Sequence, residues 1–175
     1  MAIQFQYYQS PIGELKIASF QEKLVLADWR YRKMRQSIDQ RLMKVLDSEF
    51  MEFPSEIIKK SIIQLEQYFK CERQEFDLPI HLIGTEFQKS VWKQLQEIPY
   101  GETRSYLKLS QELGNEKAIR AVASANGANG ISIIIPCHRI IGSNKELVGY
   151  AGGLPGKKKL LELENPNFNT QLTLF

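Results

Sequence analysis

The residues best suited to chemistry are Pro136-Cys137-His138-Arg139, which close the apolar run Ile133-Ile134-Ile135. Thiolate is the nucleophilic form of cysteine, and an ordinary thiol, with a pKa of about 8.5, is mostly protonated at neutral pH. A neighbouring histidine and a basic residue are the usual means of lowering that value. Three chemistries can be weighed. A cysteine hydrolase needs a general base and an oxyanion hole, and its cysteine and histidine usually come from distant segments. A redox role wants a resolving cysteine nearby, whereas Cys71 is far away in sequence. Direct attack on an alkyl carbon needs a thiolate, a path for the thiol proton and a donor that protonates the leaving oxygen. A cysteine that is merely packed in a core fits the Pro-Cys-His-Arg setting poorly.

The elements that must present this cysteine fall into two parts, divided near residue 83. With 175 residues, 43% of them hydrophobic, the chain can bury a real core as one domain or two small ones. No apolar run is long enough to span a membrane, and the N-terminus lacks the basic start and apolar core of a secretion signal. Two cysteines make a poor disulfide framework, so a reducing cytoplasm is expected. His81 and His138 show no metal-ligand spacing with them. Residues 1–83 hold 12 basic and 12 acidic side chains and residues 84–175 hold 11 and 8, so the net charge of +3 belongs to the second part. That favours an anionic partner there only mildly, since a solvated charged face carries the same signal.

Residues 1–83 read as strands and then helix. Ile3 to Tyr7 alternates apolar and polar side chains, Ser10-Pro11-Ile12-Gly13 is turn chemistry, and Leu15 to Ala18 and Leu24 to Trp29 read as further strands. Arg30 to Asp47 is charged and ambiguous, helical in part. Ser55 can cap a helix carrying Ile58, Ile62, Leu65 and Phe69 on one face, and Phe76 to Ile80 looks extended. No chemical motif stands out here.

The second part is mostly helical. Thr85 and Gln88 fit a capping box before Phe87, Val91, Leu95 and Ile98 at helical spacing, stopped by Pro99-Tyr100-Gly101. A second helix is expected from Ser105, with Tyr106, Leu109 and Leu113 on one face. A third, capped by Asn115, carries Ile119 and Val122 and stops at Gly127. This pair is a helix-turn-helix candidate, although most such pairs are ordinary core packing. The third helix presents small side chains around Arg120, which suits either close helix packing or close approach to a nucleic-acid groove. A strand is expected from Ile131 to Ile135, after a loop in which Asn129 lies beside Gly130. Gly149-Tyr150-Ala151-Gly152-Gly153 is a loop able to lie against a flat ligand. A last helix spans Gly156 to Glu164. Its Lys157, Lys158 and Lys159 lie at the wrong end for the helix dipole, as phosphate contacts would.

The chain resembles the O6-alkylguanine-DNA alkyltransferases, or methylated-DNA–protein-cysteine methyltransferases. The matching residues are Gly84 to Gln88, Val91-Trp92, Ile98 to Gly101, Ser105-Tyr106, Arg120 to Val122, Ala125 to Asn129, Ile133 to Arg139 and Gly149 to Leu154, in family order. The first part matches more loosely, through its strand order and Ser-Pro-Ile-Gly turn. The resemblance implies an α/β (α+β) protein. A small ribonuclease-H-like sheet domain occupies 1–83, and a winged-helix-like DNA-binding and catalytic domain with a helix-turn-helix occupies 84–165. A tail follows over 166–175.

By the same resemblance, Cys137 accepts the alkyl group irreversibly, once per molecule. His138 takes its proton through a water, and Glu164 orients the imidazole. Asn129 braces the loop. Tyr106 presses on a backbone phosphate and donates a proton to the leaving guanine oxygen. Arg120, with Ala121 beside it, enters the base stack of double-stranded DNA from the minor groove and replaces the flipped nucleotide. Backbone groups of Cys137, Ile140 and Ala151, with Tyr150 and Gly152, surround the O6-alkylguanine; O4-alkylthymine is a second implied substrate. An alkylated base pairs poorly, so extruding it costs less. No cofactor is implied, and the metal-binding cysteines and histidines of some animal members are missing, so no zinc is expected. Gly130 replaces a proline common in the family, which implies a more mobile loop. A monomer in the cytoplasm, associated with the nucleoid when on DNA and with no membrane, is expected. The alternative is a lesion-binding or regulatory DNA-binding protein without catalysis. The end of the chain, Gln171, Leu172, Thr173, Leu174 and Phe175, resembles peptides that dock bacterial repair proteins on the replication sliding clamp.

Overall fold

Alternation from the third residue onward sets the first sheet. In the computed structural model, which describes residues 1–168, strands β1 (Ile3–Ser10) and β2 (Gly13–Phe20) form an antiparallel hairpin. Strand β3 (Lys23–Trp29) continues it, and the short β4 (Phe50–Glu52) pairs parallel with β1, giving the order β3-β2-β1-β4. Ile3, Ala18, Phe20, Val25 and Leu26 of the sheet pack with Ile83 and with Ile38 and Leu42 of helix α1 (Arg35–Leu46). The extended segment expected near Phe76 to Ile80 bridges Leu24 through Ile80.

The ambiguity of the charged stretch has a physical source, because several of its charges turn inward. Asp28 is fully buried between Arg32, at 3.0 Å, and Arg35, at 2.9 Å. Asp39 takes Arg35 and Lys16 at 2.9 and 2.8 Å. Buried charges survive when paired in this way.

Helix α2 (Glu56–Phe69) begins at Ser55, whose hydroxyl accepts the Ile58 N–H at 3.2 Å. Its buried face is Ile58, Ser61, Gln64, Leu65 and Tyr68, whereas Ile62 and Phe69 are only half-buried. Burying the Tyr68 ring against Phe76, with centroids 5.6 Å apart, rotates the face away from the expected one.

The chain forms a second compact unit from Gly84 onward. Helix α3 (Glu86–Leu95) starts with the expected capping box: Thr85 Oγ1 accepts from Gln88 N at 3.1 Å, and Gln88 Oε1 accepts from Thr85 N at 3.0 Å. It buries Val91, Trp92 and Leu95 but ends at Leu95, so Ile98 is buried from the following turn. Phe87, expected on the apolar face, is 41% exposed because it sits in the first turn, before the helix meets the core.

Strand β5 (Arg104–Ser105) leads directly into α4 (Tyr106–Glu112), which Ser105 caps. Gly114 makes the turn with φ of +79°, and Asn115 caps a 3-10 turn, Glu116–Ala118, that runs into α5 (Ile119–Gly127). This is the expected helix-turn-helix. Strand β6 (Ile140–Ile141) pairs parallel with β5, and helix α6 (Leu154–Glu164) follows.

The segment 131–135 is not the expected strand. All five side chains are buried, yet only a Ser132–Ile135 bridge forms, and Ile133 adopts a φ of +71°. The segment folds on itself instead: Ile135 N donates to Ile131 O at 3.0 Å and Ile134 N to Ser132 O at 2.8 Å. An apolar run signals burial more strongly than it signals pairing.

Candidate active site

The tight 131–135 loop is held from inside by Asn129. Its side-chain amide donates to Ile135 O at 3.0 Å and Ile131 O at 3.3 Å, and its Oδ1 accepts from Ile131 N at 2.9 Å. Asn129 is 1% exposed, so these bonds supply partners that water cannot reach. The loop delivers Cys137 into a 3-10 turn, Cys137–Arg139, rather than onto the end of a strand. Cys137 is 4% exposed, and neither it nor Cys71 is in a disulfide.

His138 and Arg139 share one carboxylate. His138 Nε2 lies 2.7 Å from Glu164 Oε1, and Arg139 donates Nε to Oε2 and Nη2 to Oε1, both at 2.9 Å. The third Arg139 nitrogen donates to Ile98 O at 2.7 Å. Such a fork is the strong geometry for arginine and carboxylate. Gly101, with φ of +81°, lets the chain pass close to the end of α6. A β-carbon there would sit 3.2 Å from the Glu164 carbonyl oxygen. The Pro99-Tyr100-Gly101 turn therefore does more than stop a helix.

Electrostatics assign the proton positions. Burial lowers the His138 pKa, against the opposing pull of Glu164. Burial alone would raise that of Glu164, but His138 and Arg139 outweigh it and hold the carboxyl well below the usual carboxylate range. A neutral imidazole beside a carboxylate satisfies both. Nε2 carries the proton and donates it to Glu164, whose charge Arg139 offsets. Nδ1 is then the basic nitrogen; it is buried and has no hydrogen-bond partner among the described residues. The pair is thus neutral histidine and charged carboxylate, with the base end of the ring unspent.

The β5–β6 pairing places Tyr106. Arg104 pairs with Ile140 and Ser105 with Ile141, so the first residue of α4 follows the strand that runs beside the segment leaving the cysteine turn. Burial raises the Tyr106 pKa, the nearby Asn126 side chain opposes that, and Cys137 lies near enough to raise it further. Ile140 is fully buried in β6. Tyr150, Ala151 and Gly152 are half-buried in the turns before α6, with the Tyr150 ring 6.5 Å from His138 and edge-on at 75°. Arg120 and Ala121 are exposed on α5, where Ser124 and Gly127 continue a small-residue face, while Val122, Ala125 and Asn126 point inward.

Lys157 departs from the phosphate-contact expectation. It is fully buried and donates to the carbonyls of Ile140, of Val148 at 2.9 Å and of Gly149 at 3.4 Å. Burial pulls its pKa down to about 8, with the nearby Cys137 acting the other way. Lys159 remains exposed and Lys158 half-buried. Arg139 and Asn126 are the residues that sequence reasoning gave no role of their own. The only available signal was two polar side chains standing at core positions of apolar or small-residue segments.

No cluster of three or more histidine, cysteine or acidic side chains able to hold a metal occurs among the described residues, and none of their helices is long and apolar enough to cross a membrane. The peptide Gln171, Leu172, Leu174 and Phe175 lies outside the described residues.

Comparison with known proteins gives this geometry a family. Residues 86–166 match the model described as "6-O-methylguanine DNA methyltransferase, DNA binding domain", and residues 3–82 match its ribonuclease-like domain. The methylated-DNA–protein-cysteine methyltransferase of Methanosarcina acetivorans is 44% identical over 160 residues, covering 91% of this chain and 97% of that protein. The crystal structure of Mycobacterium tuberculosis O6-methylguanine methyltransferase is similar with a TM-score of 0.80 at 39% identity, covering 99% of each chain. The same organism's OGT in complex with DNA gives 0.83 at 39% identity, with 94% of each chain covered. The mixed sheet-and-helix architecture, the buried cysteine turn and these matches agree: the chain belongs to the 6-O-methylguanine DNA methyltransferase family.

Proposed function

We propose that this protein repairs DNA directly, moving an alkyl group from O6-alkylguanine to Cys137, and that O4-alkylthymine is a second substrate. The observation that carries the reading is the buried Cys137–Arg139 turn, in which His138 and Arg139 share the Glu164 carboxylate, with Tyr106 near Cys137. His138 Nδ1 takes the thiol proton through a water. The sulfur then attacks the alkyl carbon, the carbon–oxygen bond breaks with its electron pair going to O6, and Tyr106 protonates that oxygen. The charge that appears on the imidazole faces Glu164, which is already ionised. A thioether is a poor leaving group, so each molecule reacts once and needs no cofactor.

DNA enters through the helix-turn-helix. The small outward face of α5 admits a close approach to the minor groove, and Arg120 fills the space of the flipped nucleotide. Ile140, Tyr150, Ala151 and Gly152 line the pocket that receives the base, with Ala121 against the backbone. Little sequence readout is expected, because lesions arise anywhere and contacts to phosphate carry no sequence information. The protein acts as a monomer in the cytoplasm and joins the nucleoid when on DNA.

The decisive experiment weighs the Cys137 peptide after incubation with O6-methylguanine duplex. A gain of one methylene equivalent per protein is expected, none with Cys137→Ala, and that variant should still bind the duplex. An unchanged mass in the unsubstituted protein would leave a lesion binder without catalysis. Sliding-clamp docking through Gln171, Leu172, Leu174 and Phe175 has its own test. Pulldown on purified clamp should succeed with the full chain and fail without residues 171–175, and equal recovery refutes it.

A further inference from the structure

The mechanism so far leaves Lys157 idle, although a sealed ammonium is costly to bury and must be satisfied by its surroundings. Its three hydrogens have three acceptors, all backbone carbonyls: Ile140 O, Val148 O at 2.9 Å and Gly149 O at 3.4 Å. These acceptors come from two arms of the chain. Ile140 opens β6, directly after the cysteine turn, whereas Val148 and Gly149 directly precede Tyr150. Between the arms the chain makes an excursion, closed by Gly142 N donating to Glu146 O at 2.8 Å.

Helix α6 grips the base of that excursion at two levels. Leu161 packs with Ile141 and Leu147, one residue from each arm. One helical turn earlier, Lys157 takes Ile140 and Val148, the next residue outward on each arm. Positions 157, 161 and 164 share a helix face, and Glu164 is the carboxylate on His138. One face of one helix therefore addresses the histidine, the apolar closure and the segments on either side of it.

We propose that Lys157 is a positioning residue for the base pocket: by tying Ile140 to Val148 and Gly149, it sets the spacing between the segment that carries Cys137 and the turns that carry Tyr150, Ala151 and Gly152. The inference rests on those residues receiving the flipped base, as proposed above. The choice of lysine follows from shape. An ammonium directs three N–H bonds from a single atom, so it can hold both arms at once, which the flat fork of a guanidinium cannot do. The second arm needs the tie, because its hinge is Gly149, at φ of +48°. An apolar side chain at 157 would fill the space and leave the arms joined only at Leu161.

The test compares the full-length parent with Lys157→Met, which loses the donors, and Lys157→Arg, which keeps the charge and changes the shape. Hydrogen exchange by mass spectrometry follows peptides from 142–152 and from α3. Single-turnover transfer from O6-methylguanine duplex is measured against protein concentration, and iodoacetamide alkylation is read on the Cys137 peptide. In both variants the 142–152 peptides should exchange about tenfold faster, the equivalent of one lost hydrogen bond, with α3 unchanged. Transfer at saturation should slow about tenfold to a hundredfold, as a misplacement near 1 Å does, at an unchanged half-saturating concentration. The Lys157 charge lies near Cys137, so iodoacetamide separates charge from shape. Lys157→Arg should keep the parent's iodoacetamide rate while transferring slowly. Lys157→Met should lose more in transfer than with iodoacetamide.

Unchanged exchange over 142–152 refutes the tie, and exchange raised equally over α3 makes Lys157 merely structural. Parent-rate transfer by Lys157→Arg, or equal losses in the two reactions of Lys157→Met, would mean that the charge acts on the thiol; either overturns the proposal. Should Lys157→Met not fold, Lys157→Arg is sufficient: faster local exchange with slow transfer supports the tie, and parent values reject it. Absence of transfer by the parent sinks the repair reading alone, because the exchange comparison still judges the tie.

Discussion

Glu164 is the residue on which the site's charges balance. It accepts from His138 and twice from Arg139 with a side chain sealed from solvent. Removing its charge by Glu164→Gln leaves the buried Arg139 cation unpaired, and broken buried pairs cost roughly 3–5 kcal/mol. Urea unfolding at neutral pH should show a loss of that order, and a loss under about 1 kcal/mol would mean that Arg139 finds other partners. The pH dependence follows from the shift. The folded-state pKa lies below the ordinary value of 4.5, so the stabilisation is complete above that value and disappears as pH falls toward the folded one. His138, with a lowered pKa of its own, also makes acid unfavourable for the folded state. The stability gap between parent and Glu164→Gln should therefore hold above about pH 5 and shrink progressively as pH falls below about 4.5. At this scale Cys137 and His138 were legible because their chemistry is local. The reach of Glu164 over 26 residues was not. Arg139 and Lys157 were not legible either, because long cations usually lie at the surface and only the assembled core shows that these two are inside.

The elements divide by whether their determinants are local. Helices α3 and α4, and the 3-10 turn that runs into α5, were readable because Thr85, Ser105 and Asn115 cap within three residues of themselves. Helix α1 was ambiguous because its charges answer to Asp28 and Lys16, which are distant in sequence. Segment 131–135 looked like a strand because its apolar run carries no mark of the Asn129 side chain that closes it. That closure can be measured. Asn129→Ala orphans the N–H of Ile131 and removes one of the two donors at each of the Ile131 and Ile135 carbonyls, so a loss of about 1–3 kcal/mol is expected in urea unfolding. A loss within about 0.5 kcal/mol would mean that the loop holds its form unaided.

For the whole molecule, the division near residue 83 was legible in composition, and the structure has its boundary at Ile83 and Gly84. The charge excess of the second part was a weak signal, and two of its cations prove to be internal: Arg139 and Lys157 serve backbone and carboxylate partners. The cations left exposed include Lys93, Lys108, Lys117 and Arg120. If three of these neutralise phosphates, raising salt from about 50 to 200 mM should weaken duplex binding roughly 40-fold. Arg120→Ala should lower the slope of the log–log salt plot by about 0.9 if the guanidinium contacts phosphate, and leave it unchanged if it sits only in the stack.

Glu164 is also the final residue of α6, while the cysteine turn it serves was laid down a full helix earlier. During synthesis the sulfur therefore emerges before the group that steadies its histidine. On the proposed mechanism, a half-made chain holds a thiol whose base is not yet in place, and its one reaction waits for the closing helix to dock.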